Sequence, residues 1–129
     1  RGRGSFARER CYNQNMIKRR HVSSQSLRAL TQKIVKAIAP EQVILFGSHA
    51  YCKPTPDSDV ELLIIWKTQK SYPSRYRAIS DLLRPRPFPL DIIVKTPREI
   101  AVARKRVDPF LNEALEKGKI LYARQTRSR

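Results

Sequence analysis

Three carboxylates stand out by type and spacing. Asp59 and Glu61 lie two residues apart at the head of an apolar run that ends at Ile65, and Asp91 opens another, Asp91-Ile-Ile-Val94. Residues two apart on a strand leave the same face, with their Cα atoms about 6.7 Å apart. Such a pair can hold two cations about 4 Å apart, the arrangement that stabilises the attacking and leaving oxygens of a displacement at phosphorus. Acids on an otherwise apolar strand face are costly unless cations or hydrogen-bond donors meet them. Just upstream, Gly47-Ser48 closes the run Val43-Ile-Leu-Phe46. A glycine turn with free N–H groups and a hydroxyl suits a phosphate. Carboxylates and phosphate turn together point to phosphoryl or nucleotidyl transfer.

The elements that must position these residues can be read in order. Ser23 or Ser24 caps a helix to about Ala39, with Leu27, Leu30, Ile34, Val35 and Ile38 forming one apolar stripe and Pro40 stopping it. Val43–Phe46 is short, β-branched and wholly apolar, as an interior strand is. Ser58–Trp66 is the second strand, with Val60, Leu62 and Ile64 on one face and Asp59, Glu61, Leu63 and Ile65 on the other. Pro73–Leu83 reads as a helix with Tyr76, Ile79, Leu82 and Leu83 inward, followed by the stiff link Arg84-Pro-Arg-Pro-Phe-Pro89. Leu90–Val94 is the third strand. Thr96-Pro97-Arg98-Glu99 combines a cap, a proline at the first helical position and a capping-box glutamate. Asp108-Pro109 repeats the start signal for a helix carrying Phe110, Leu111, Ala114 and Leu115. Gly118 ends it, and Lys119–Tyr122 returns as an edge strand. Residues 1–15 are read as a disordered leader, 16–123 as the folded domain and 124–129 as a basic tail.

At 129 residues the chain suits one domain. No apolar run approaches the roughly 18 residues of a membrane span. Cys11 and Cys52 form no ligand pattern; a disulfide between them is the alternative to the preferred reading, two free thiols in a reducing cytoplasm. The net charge of +16 implies polyanionic company: nucleoside triphosphates, nucleic acid or an acidic protein surface.

The pattern of Gly47-Ser48, ten intervening residues, Asp59-Val-Glu61 and a third acid, Asp91, resembles the DNA polymerase β-type nucleotidyltransferase superfamily. Within it the chain is most similar to the minimal nucleotidyltransferases over about residues 24–122. The resemblance implies an α/β (α+β) fold with a mixed sheet of about four strands flanked by helices. It also implies Mg²⁺-dependent transfer of a nucleoside monophosphate, with ATP or another NTP as substrate and two ions at the site. Asp59, Glu61 and Asp91 would be the catalytic acids and metal ligands, with Asp91 helping to deprotonate the acceptor hydroxyl. Gly47 and Ser48 would grip the triphosphate. Minimal members often follow Gly-Ser with Arg-Ala-Arg-Gly, whereas this chain has His49-Ala-Tyr-Cys-Lys53. A common partner in that family is a small helical HEPN-type protein, often an RNase toxin, which the nucleotidyltransferase neutralises as antitoxin. The acceptor would then be a protein hydroxyl reached in trans.

Two other readings compete with transfer. One is a non-catalytic module that neutralises its partner by contact. The other is a basic nucleic-acid binder built on Lys18–Arg20 and Arg104–Arg106, which no interleaved aromatic platform accompanies. Self-association is left open.

Overall fold

A computed structural model describes residues 24–47, 59–106 and 108–125 of the chain. The elements run α1 (Ser24–Ile38), β1 (Gln42–Phe46), β2 (Val60–Ile65), α2 (Tyr72–Leu82), β3 (Leu90–Lys95), α3 (Pro97–Arg106), α4 (Pro109–Lys117) and β4 (Lys119–Ala123). The four strands form one mixed sheet in the order β3-β2-β1-β4. β1 is antiparallel to both β2 and β4, while β2 and β3 run parallel. This is the expected α+β architecture.

Period-two alternation along the strands divides the interior into two cores, one on each face of the sheet. Val43, Leu45, Val60, Leu62, Ile64, Ile92 and Val94 pack against Leu27, Leu30 and Ile34 of α1 and Ile79 of α2. On the other face Ile44, Phe46, Leu63 and Ile65 pack against Ile100 of α3 and Leu111 and Ala114 of α4. Glu61 and Asp91 belong to this second face by alternation, which places both acids at one end of the α3–α4 layer.

Local chemistry explains the boundaries. α1 stops at Ile38 because Ala39 turns left-handed, with φ 48, just before Pro40. The capping box forms at α3, where the Glu99 N–H donates to Thr96 Oγ1 at 3.1 Å and the Thr96 N–H donates to Glu99 Oε1 at 2.9 Å. Asp108 Oδ1 accepts from the N–H groups of Phe110 and Leu111 at the head of α4. Arg86 fastens the proline-rich link. Its guanidinium donates to Ser80 Oγ at 2.7 Å and to the Leu90 carbonyl at 2.6 Å, so the strand carrying Asp91 starts from a fixed point.

One inward assignment is corrected. Tyr76 is exposed, and the buried residue of that turn of α2 is Arg75. Its guanidinium makes a bidentate pair with Glu99, at 2.9 and 3.0 Å, and donates to the carbonyls of Lys70 and Val94. A cation with this many acceptors can be buried at lower cost than polarity alone suggests. The pair also connects the two layers: α2 lies on one face of the sheet, α3 on the other, and Arg75 reaches Glu99 around the β3 edge.

Candidate active site

The site begins with strand register. In the parallel β2–β3 ladder Glu61 stands opposite Asp91, and in the antiparallel β1–β2 ladder it stands opposite Phe46. Asp59 lies immediately before β2, two residues from Glu61. The proposed acids are therefore assembled from two neighbouring strands at one end of the sheet.

Gly47 follows β1 with φ +82, a left-handed conformation that a side chain disfavours. It is also crowded: a Cβ there would sit 2.8 Å from Glu61 Oε2 and 2.9 Å from its Cδ. The glycine at the turn makes room for the carboxylate of the adjacent strand. Ser48 lies outside the described residues, so the geometry of the phosphate turn is represented by Gly47 alone.

The electrostatics are those of a strained anionic cluster. Partial burial raises the Glu61 pKa above its ordinary value, and the neighbouring negative charges of Asp91 and Asp59 raise it further. Glu61 thus feels the charge of both aspartates. Among the described residues, however, no three His, Cys, Asp or Glu side chains are gathered as a ready-made metal cage. Like charges do not close up by themselves, and Asp91 is exposed.

The donor set still fits a divalent cation. It is all carboxylate, the ligand class of Mg²⁺, which commonly binds through one or two carboxylates plus water and substrate phosphate oxygens. The raised Glu61 pKa is the electrostatic stress that a cation would relieve.

One neighbour was not read from the sequence as part of the site. Phe110, at the start of α4, meets Phe46 edge to face with ring centroids 5.4 Å apart, and Phe46 is the register partner of Glu61. Phe110 remains 49 % exposed. Its place in an apolar helical stripe disguised it as core. The available signal was its position two residues after a helix cap, where side chains stand at the rim of a layer.

The polymerase β nucleotidyltransferase family profile matches residues 29–127, most of the chain. The chain belongs to this family. The fold agrees: a crystal structure from Sulfolobus solfataricus, of a protein described only provisionally as a nucleotidyltransferase, superposes with a TM-score of 0.55 at 18 % identity. The match covers 78 % of this chain and 79 % of that one. No curated protein matches the chain. Nucleotidyltransferase domains of this family generally use a nucleoside triphosphate and a divalent metal, in accord with the carboxylate set here. Among the described residues no helix is long and apolar enough to cross a membrane.

Proposed function

We propose that this nucleotidyltransferase moves a nucleoside monophosphate, AMP from ATP, onto a hydroxyl group of another protein, with Mg²⁺ as its metal. The observation that supports this most is the register of Glu61 with Asp91 beside Asp59, a partly desolvated carboxylate cluster facing a glycine turn. Asp59, Glu61 and Asp91 would hold the metal, which when bound supplies positive charge to the triphosphate and to the developing transition state.

The chain's own residues do the rest. Gly47 leaves the space in which the Glu61 carboxylate stands. Asp91, exposed at the sheet edge side of Glu61, is available to accept the acceptor hydroxyl's proton at a carboxylate oxygen. The acceptor oxygen then bonds to the α-phosphorus as the bond to pyrophosphate breaks. Phe110 offers a half-exposed ring against Phe46, the register partner of Glu61, and such a ring is suited to stacking on a nucleobase.

The partner we infer is a HEPN-type helical protein, with this chain as antitoxin. Its support is the family resemblance. The test is incubation with Mg²⁺, each NTP in turn and the product of the neighbouring gene, read by intact mass. Addition of a nucleoside monophosphate that disappears in Asp59→Asn and Glu61→Gln supports the reading. Equal modification by both variants would sink it.

A further inference from the structure

We propose that the groove between α1 and β4 is a docking site for an acidic, extended segment of a partner protein, which adds a strand to the sheet. This inference does not depend on nucleotidyl transfer. β4 is a terminal strand; among the described residues its ladder partner is β1 alone. A terminal strand presents backbone N–H and C=O groups along its outer side, the usual template for strand addition.

Beside that edge lies a groove of about 800 Å³. Leu27, Leu121 and Tyr122 supply apolar surface, and Ile120, 56 % exposed, stands at its rim. Arg28 and Lys36 flank it from α1, and among the described residues no acid lines it. The whole of α1 contains three cations, Arg28, Lys33 and Lys36, and no acid. Apolar pockets next to an open edge and under a row of cations fit an alternating acidic and apolar strand: main-chain bonds give affinity, and charge gives selection.

Charge also argues against the other occupants. The chain's own residues 1–23 contain seven Arg or Lys and one Glu, so they would add cations to a cationic groove. A second copy would bring two bodies of +16 edge to edge. Single-stranded nucleic acid would meet the cations but leave the strand's hydrogen-bonding edge without its natural complement.

The experiment uses the full chain and a short synthetic peptide alternating glutamate and valine, followed by fluorescence polarisation and by amide hydrogen exchange. Binding is expected, with new protection in β4, weakening as salt rises. The lysine–valine counterpart should not bind. Arg28→Glu with Lys36→Glu, both exposed on α1, should weaken the complex on the order of tenfold, the sum of two reversed surface pairs. Ile120→Glu should weaken it through the strand side, so the test survives if the helix variant folds poorly.

Failure of the glutamate peptide to bind, or binding without β4 protection, would overturn the proposal. So would protection, in the protein alone, of the β4 amides that face away from β1, whether constant, as residues 1–23 would give, or rising with concentration, as a second copy would give. Displacement of the peptide by an oligouridylate with loss of β4 protection would assign the groove to nucleic acid instead.

Discussion

Replacing Gly47 with alanine separates backbone strain from crowding at the carboxylate site. At φ +82 an L-residue pays about 1–2 kcal/mol for the left-handed conformation. The new methyl would also meet Glu61 Oε2 at 2.8 Å, well inside van der Waals contact. The atom it meets is the far end of a flexible side chain, so the carboxylate would swing away and the steric cost would stay small. A loss of about 1–2 kcal/mol corresponds to a fall in Tm of roughly 5–10 °C for a domain of this size. The same substitution in a Glu61→Ala background, where the opposing carboxylate is gone, should cost nearly the same, because backbone strain is indifferent to the side chain opposite. Metal and nucleotide affinity should fall in Gly47→Ala alone through the displaced Glu61. Calorimetric melting of the four proteins of this cycle, with and without Mg²⁺, reads both effects. An unchanged Tm for Gly47→Ala would refute the left-handed turn. A penalty that vanishes with Glu61→Ala, which removes the crowding atoms, would show that crowding, not backbone strain, sets the cost.

Glu61→Gln should stabilise the metal-free protein at neutral pH. A carboxyl with a raised folded pKa favours the fold while protonated and loses that advantage as pH rises from 4.5 through its folded value. The variant's gain should therefore shrink toward zero at acid pH, and added Mg²⁺ should raise the Tm of the wild type more than that of the variant. Glu99 behaves oppositely. Its hydrogen bonds from Arg75 lower its pKa despite some burial, so its contribution is complete above 4.5 and is lost as pH falls through the lower folded value. Glu99→Ala removes the acceptor of the Thr96 N–H, one half of the α3 capping box, and the counter-charge of an Arg75 side chain only 8 % exposed, and should cost about 3 kcal/mol in urea unfolding. Ala39→Gly, which relieves a left-handed alanine after α1, should stabilise by about 0.5–1 kcal/mol in the same assay. Phe110→Ala should weaken nucleotide binding by roughly tenfold, in line with about 1–3 kcal/mol for a base–aromatic stack, while leaving far-ultraviolet dichroism unchanged.

Local signals in the sequence proved sufficient for the elements and insufficient for their meetings. Thr96 and Glu99 close their box within four residues, and Asp108-Pro109 starts α4 unaided, so neither depends on the rest of the chain. Periodicity put Asp59 and Glu61 on one face, but the juxtaposition with Asp91 required that β2 and β3 pair, in parallel and in a register of Glu61 with Asp91. The Tyr76 assignment failed because polarity favours tyrosine over arginine inside; the burial of Arg75 rests on a partner 24 positions away. Phe110 was concealed for the same reason: its exposure and its contact with Phe46 follow from how α4 lies on β1, which no helical period encodes.

The arginine that joins α2 to α3 has a consequence for how this sheet can grow. By donating to the Val94 carbonyl, Arg75 occupies part of the outer rim of β3, and the helices it ties together straddle that rim. One outward carbonyl of β3 is thereby taken, while among the described residues β4 has no strand on its outer side. An endless head-to-tail stack of sheets needs two receptive sides, and the Arg75 guanidinium stands in the way at one of them, so strand addition at β4 would favour a closed pairing over a running stack.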